Sequence, residues 1–166
     1  MHDRNVGLPV YLRDHVPQAQ STGDEEEGAC PAFGFLRGLD ARALAVEFRL
    51  LAGNSEWFSY SCLVSWRHNP SIGLLLKFNT GDVTSLALIL GSNLDVLVSQ
   101  AQVNLTDRGL QRHRITYIRE MDEAELKQAR EGEPSIDSID ITEFETVAEQ
   151  REWLKKMAPV FVRNPT

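Results

Sequence analysis

A short basic segment is the part of this sequence whose residue types and spacing best suit chemistry with a charged partner. Arg108, Arg112 and Arg114 lie within seven positions, no acidic residue interrupts them, and Tyr117 follows closely. Arginines can contact a phosphate backbone, and an aromatic ring can stack on a base. These four residues are therefore the candidate nucleic-acid contacts. In the competing interpretation, the cations offset the negative pole of a preceding helix and pair with the acidic stretch that begins at Asp122.

Other arrangements that perform catalysis or hold a cofactor are absent from the sequence. The four histidines are far apart and neither cysteine belongs to a Cys-x-x-Cys pair, whereas zinc needs several such ligands to converge. No Gly-x-Ser-x-Gly elbow and no phosphate-binding glycine loop occurs. Cys62 falls on an apolar strand face, where a thiol is inert. We expect no catalytic residue, no cofactor and no metal; an enzyme would require a cleft that gathers His68, His113 and a carboxylate.

Charge and composition narrow the class of protein. The chain of 166 residues is 42% hydrophobic and 25% charged, with a formal net charge of −7. This composition is typical of a globular protein, and its negative charge disfavours non-specific binding to nucleic acid or to an anionic membrane. No run approaches the ~18 consecutive apolar residues that a membrane span needs, and the first residues lack the pattern of a secretory signal. We expect a cytoplasmic protein with no membrane partner.

The segment before the domain, residues 1–40, is predicted to be a poorly ordered lead-in. It holds three prolines, a polar stretch and the acidic run at residues 24–27. Such a composition supplies little apolar surface to offset the entropy of ordering. Whether a small apolar cluster docks onto the domain is left open: Phe33, Phe35, Leu36 and Leu39.

The core domain, residues 41–120, is predicted to begin with a meander of four antiparallel strands over residues 44–90. Its strongest signal is a period of two that would direct five side chains into a common interior: Phe58, Tyr60, Cys62, Val64 and Trp66. This alternation indicates a strand and not a helix. The segment is long for one strand, so we expect a bend or bulge near Ser61. Short connections between the strands require antiparallel neighbours.

A helix is predicted over residues 93–107, because apolar residues recur there at helical spacing and would cover one face of the sheet. Residues 114–119 are predicted to form a fifth strand. The acidic C-terminal extension, residues 121–166, is predicted to contain a short edge strand at 135–141 and a helix at about 143–157, where Thr142 and Glu145 resemble a capping box.

Several turn and strand motifs occur in a fixed order: Tyr60-Ser61-Cys62-Leu63, Asn69-Pro70-Ser71-Ile72-Gly73-Leu74, Leu76-Lys77-Phe78 and Gly91-Ser92-Asn93-Leu94. This order resembles a family of short, uncharacterised bacterial proteins over roughly residues 44–119. The family has no assigned activity, so the resemblance implies a fold and transfers no catalytic residue. Residues 82–90 are more apolar here than in the family strand, which argues against a polar ligand face at that position.

The expected fold class is α+β: a small curled antiparallel β-sheet of four to five strands, with one helix packed on it and a second, C-terminal helix. The twist of the strands accounts for the curl, and the sequence leaves a barrel and an open sheet as alternatives. Fold alone does not fix function.

Three functions follow from these expectations. The leading one is a non-catalytic protein-interaction module that binds a protein partner or forms a homo-oligomer through a strand edge or an open sheet face. Leu51, Trp57 and Leu63 are the candidate interface residues, because the strand pattern leaves them on the outer face. Nucleic-acid binding through the basic segment is the second, and an enzyme of unknown reaction is the third.

Overall fold

The computed structural model describes residues 26–163, which fold into two β-sheets and two α-helices. We number the elements in chain order. The strands and helices are β1 (Glu27–Ala29), β2 (Phe33–Leu36), β3 (Ala45–Arg49), β4 (Ser55–Ser59), β5 (Leu63–Asn69), β6 (Gly73–Asn79), β7 (Thr84–Ser92), β8 (Ile115–Arg119), α1 (Glu123–Gln128), β9 (Ser135–Phe144) and α2 (Val147–Met157).

The strands divide into a five-stranded sheet of order β1-β2-β8-β3-β4 and a four-stranded sheet of order β5-β6-β7-β9. All neighbours are antiparallel except β3 and β8, which are parallel. The predicted mixture of helices with mostly antiparallel strands is confirmed. The prediction of one continuous meander is wrong, because the chain leaves the first sheet after β4 and starts the second with β5. Neither sheet closes into a barrel.

The change of sheet takes place in a single 3₁₀ turn at Tyr60–Cys62. Ser59 ends β4 and caps this turn, its Oγ accepting a hydrogen bond from the backbone N–H of Ser61 at 3.3 Å. The Tyr60 hydroxyl donates to the carbonyl oxygen of Ile115 at 2.6 Å, which ties the turn to β8. Burial raises the pKa of the Tyr60 hydroxyl, so it remains a donor at neutral pH.

This turn corrects the predicted row of five inward side chains. Phe58, Tyr60 and Cys62 do pack in or against the core, but Val64 is 53% exposed and Trp66 is 37% exposed. A turn of three residues interrupts the period of two, and a shift in register at the start of β5 adds a second interruption. The expected bend near Ser61 is therefore present, and it ends the common face.

The main core lies between the two sheets and centres on three phenylalanines. The rings of Phe58 and Phe78 stack with centroids 4.4 Å apart, and Phe48 meets both rings edge-on. Because Phe48 and Phe58 belong to the first sheet and Phe78 to the second, this cluster joins the sheets directly. Aromatic pairs in these geometries add stability beyond the area that they bury.

Part of the segment 26–40 contributes to the core. Phe33 and Phe35 of β2 are fully buried against the other core side chains, and β2 pairs with β8. The two phenylalanines of the apolar cluster therefore dock onto the domain, whereas Leu39 is exposed. The earlier part of the predicted lead-in, residues 1–25, lies outside the described residues.

The predicted helix over residues 93–107 is wrong, since this segment forms a series of turns. Asn93, Ser99 and Gln102 all have positive φ angles, which an α-helix does not admit. The side chain of buried Asn104 organises the loop: its Oδ1 accepts hydrogen bonds from two backbone N–H groups, and its Nδ2 donates to the carbonyl of Asp95 at 3.0 Å. The apolar residues at helical spacing therefore lie in a loop, and only some of them are buried.

The C-terminal part contains the predicted strand and helix with different bounds. Strand β9 continues to Phe144, so the helix begins later than expected, with Thr146 as its N-cap. Helix α2 and the turn after it pack on the outer face of the four-stranded sheet and form a second, smaller core there: Leu75, Leu86, Leu88, Phe144, Ala158 and Phe161. No helix within residues 26–163 is long and apolar enough to cross a membrane.

We predict that Tyr60→Phe lowers the free energy of unfolding by about 1–3 kcal/mol, because it leaves the buried carbonyl of Ile115 without its donor. Tyr117→Phe is the matched control, since the half-buried Tyr117 lies in β8, the strand that contains Ile115, and it should change stability by less than about 0.5 kcal/mol. Urea denaturation of both variants measures the difference. Equal losses would show that the Tyr60 hydrogen bond does not hold the turn.

Candidate functional site

Arg114, one of the four predicted nucleic-acid contacts, is buried with 1% of its surface exposed. Its Nε donates to the carbonyl of Leu36 at 3.0 Å and its Nη2 donates to the carbonyl of Arg37 at 2.8 Å. Burial lowers the pKa of Arg114, and the nearby cations Arg112 and Arg108 lower it further. Arg114 therefore fastens the end of β2 to the start of β8 and presents no charge to a ligand.

Tyr117 is also committed to contacts within the protein. The guanidinium carbon of Arg49 lies 3.6 Å from the centroid of the Tyr117 ring, and Gly34 of β2 lies so close to the ring that a Cβ at this glycine would collide with it. Arg49 pairs in turn with Glu47, with Nε and Oε1 2.9 Å apart. Arg49 thus covers one face of the half-buried Tyr117 ring. A nucleic-acid surface that combines Tyr117 with exposed Arg112 and half-buried Arg108 stays a prediction.

The histidines that an enzyme would need are not gathered in a cleft. The ring of His113 stacks on Tyr60, with centroids 4.4 Å apart, while His68 belongs to β5 in the other sheet. Neither histidine lines any of four well-formed cavities within residues 26–163. The same part of the chain contains no group of three His, Cys, Asp or Glu side chains arranged to hold a metal ion.

The three predicted interface residues have different environments. Leu51 is 55% exposed in the turn between β3 and β4, and Trp57 is 63% exposed on β4. Leu63 is half-buried and packs against the main core, because the 3₁₀ turn places it at the start of β5 facing the other sheet. The structure thus leaves Leu51 and Trp57 available on one hairpin and removes Leu63 from that surface.

A groove lies between the edges of the two sheets beside Trp57. Strand β4 is the last strand of the five-stranded sheet, and β9 is the last strand of the four-stranded sheet. Between them is a cavity of about 480 Å³ lined by Glu56, Trp57 and Phe58 of β4 and by Ile141 and Glu143 of β9. We call this cavity the β4–β9 groove.

The edges that border the β4–β9 groove are only partly covered. The beginning of β9 is capped by the segment after β8, where the backbone N–H of Met121 donates to the carbonyl of Ile136 at 3.1 Å. Towards Ile141 and Glu143, no strand of the described residues pairs with the free edge of β9, and none pairs with the free edge of β4. Such edges offer unpaired backbone groups to another chain.

The β4–β9 groove carries uncompensated negative charge. Glu56 and Glu143 are both exposed, and neither takes part in any of the four ion pairs formed within residues 26–163. Neither carboxylate therefore has a cationic partner among the described residues.

Burial raises the pKa of a third carboxylate, Glu120, and the neighbouring charge of Asp140 raises it further, whereas hydrogen bonding to the backbone of Ile139 in β9 and of Leu51 lowers it.

Sequence reasoning missed both glutamates of the groove. Glu56 lies just before the segment predicted as the second strand, and Glu143 falls within the predicted helix. Only the extension of β9 to Phe144 and the approach of the two sheets bring them to one cavity. The exposed pair Glu56-Trp57 at a strand edge was the one local signal.

Comparison of the chain with protein-family models, with curated proteins and with solved structures finds no match. The resemblance over residues 44–119 therefore stays a prediction.

We predict that Arg114→Ala strongly destabilises the fold, by about 3 kcal/mol or more, because two carbonyls lose their charged donor and a buried cavity is left. Arg112→Ala removes the same charge from an exposed position two residues away and should change stability by less than about 0.5 kcal/mol. Thermal unfolding of the two variants makes the comparison. An Arg114→Ala protein as stable as the wild type would return Arg114 to the candidate ligand contacts.

Proposed function

We propose that this protein is a non-catalytic protein-interaction module that binds an extended, basic segment of a partner protein in the β4–β9 groove. The observation on which this proposal depends is a coincidence at one groove: two strand edges and two glutamates that have no partner within residues 26–163, and an exposed tryptophan.

The free edges favour an extended ligand. A peptide that adds a strand to an exposed sheet edge gains backbone hydrogen bonds along its whole length. Strand β4 offers five residues for such pairing, and the uncovered end of β9 lies across the groove. A segment between them would have a neighbour on each side.

The charges favour a basic ligand. Glu56 and Glu143 line the groove, and the chain as a whole has a net charge of −7. A negative field of this kind accelerates association with cationic partners. It also opposes approach of a second, equally acidic copy, so the proposed occupant is a different protein.

Trp57 supplies an anchor. Tryptophan is enriched among the residues that dominate binding energy at protein interfaces. Trp57 lies on the opposite face of β4 from Glu56, so it would contact the apolar side chains of a segment whose lysines meet the glutamates. With 63% of its surface exposed, Trp57 has most of its area left to bury. Leu51, on the same hairpin, extends the apolar surface beyond the groove.

The test is isothermal titration calorimetry with a short peptide in which lysine alternates with valine, at low ionic strength. Wild-type protein should bind this peptide, because lysines on one face would meet the glutamates while the backbone pairs with the edges. The double variant Glu56→Gln, Glu143→Gln should weaken the affinity about tenfold, and Trp57→Ala should weaken it by a similar factor.

A charge-matched control separates the groove from the net charge. The double variant Glu131→Gln, Asp137→Asn removes two exposed carboxylates elsewhere and should change the affinity less than about twofold. Equal weakening by the two double variants would contradict the proposal, since net charge alone would then explain binding. Failure of the wild type to bind, together with a dimeric mass by light scattering, would assign the surface to a second copy instead.

A further inference from the structure

A second groove lies on the opposite face of the four-stranded sheet, between that sheet and the C-terminal helix. It has a volume of about 220 Å³, and we call it the α2 groove. Its lining comes from β5, β6 and β7, from α2 and from the residues after it.

The charge of the α2 groove is opposite to that of the chain. Arg67, Lys77, Arg151 and Arg163 line it, and no aspartate or glutamate does. None of these four cations belongs to an ion pair within residues 26–163. In a protein with 17 basic and 24 acidic residues, four cations around one cavity without a carboxylate form a concentrated positive field.

Two of the arginines are held in position by hydrogen bonds to carbonyl oxygens. These neutral acceptors do not cancel the charge of the arginines. Arg67 Nη1 donates to the carbonyl of Phe161 at 2.6 Å, and Arg151 Nη2 donates to the carbonyl of Arg163 at 3.3 Å. Burial lowers the pKa of Arg67, and the charge of Arg163 lowers it further. An anion bound among these groups would offset the repulsion between Arg67 and Arg163. Because hydrogen bonds already hold two of the arginines, binding would need little rearrangement of them.

The remaining lining is apolar or carries an uncharged polar group. The half-buried Leu154, with the buried Leu75 and Leu86 beneath it, forms the apolar part of the lining. The Gln150 side chain, on a residue only 8% exposed, brings an amide with both donors and an acceptor. A cavity with apolar walls and a few convergent polar groups is the usual character of a small-molecule site.

We infer that the α2 groove binds a small phosphate monoester, with the phosphate among the four cations and the organic group against the leucines. Phosphate carries about −1.5 to −2 charge at neutral pH, so it uses several cations where a carboxylate needs one. Arginine also matches phosphate oxygens in a bidentate geometry. The cavity is smaller than the roughly 300–1,000 Å³ of drug-sized sites, which restricts the organic part to a short chain or one ring.

This inference is independent of the proposed function, because the two grooves share no lining residue. The sequence alone indicates half of the cationic residues that line the α2 groove. The alternation of β5 and β6 places Ser65 and Arg67 on one face, and their partners across the ladder are Lys77 and Leu75. The arrival of Arg151 and Arg163 from the C-terminal segment depends on tertiary packing.

The test is calorimetric titration of the full chain with phenyl phosphate, phenol and inorganic phosphate. Phenyl phosphate should bind with a Kd on the order of 0.1 mM, inorganic phosphate more weakly, and phenol without measurable heat. Lys77→Gln should weaken phenyl phosphate about tenfold, because it removes a lining cation that makes no hydrogen bond needed by the C-terminal segment.

The control is Lys156→Gln, which removes the same charge from an exposed position on α2 outside the groove. It should weaken binding less than about twofold. Thermal unfolding of both variants verifies that they are folded, and added phenyl phosphate should raise the wild-type melting temperature. The inference is overturned if the wild type does not bind phenyl phosphate, if Lys156→Gln weakens binding as much as Lys77→Gln, or if phenol binds as tightly as its phosphate ester.

Discussion

The hydrogen bond from the Tyr60 hydroxyl to the carbonyl of Ile115 holds the turn at which the chain passes from one sheet to the other. The stacked ring of His113 covers the same tyrosine, and the backbone N–H of Tyr60 donates to the carbonyl of Leu44 at 2.9 Å. With the turn fixed, β4 and β5 become edge strands of different sheets. Two layers then enclose one phenylalanine-rich core, and free strand edges border the space between them.

The separation of charge follows from this architecture. One groove opens between the edges of the two sheets and is lined by glutamates, whereas the other lies beneath α2 and is lined by lysine and arginines. The four-stranded sheet connects them, since β9 borders the first groove while β5, β6 and β7 line the second. The two proposals together predict that the chain binds a protein segment and a small anion at the same time.

Much of the strand content could be predicted from alternation, because Phe48, Leu74, Leu76 and Phe78 follow a period of two and are buried. Two features could not. The chain passes to the other sheet in a three-residue turn within an aromatic-rich segment, and no proline or glycine marks this turn. The alternation therefore predicts, wrongly, that Val64 and Trp66 point inward. Around Asn104, side-chain hydrogen bonds to the backbone override an apolar helical spacing. Each groove combines residues that are distant in sequence, so the sequence indicates only those parts of a groove that lie close together along the chain.

The change of sheet at Tyr60 is tested most directly by nuclear Overhauser contacts in the isotopically labelled protein. The structure requires contacts between the rings of Phe58 and Phe78, whose centroids lie 4.4 Å apart, and between the rings of Tyr60 and His113 at the same separation. It pairs β5 with β6 and with no other strand of residues 26–163. A ladder of contacts that continued the register of β3 and β4, with Val64 opposite Asp40 and Trp66 opposite Gly38, would instead show one unbroken strand, and both grooves would then lose their basis.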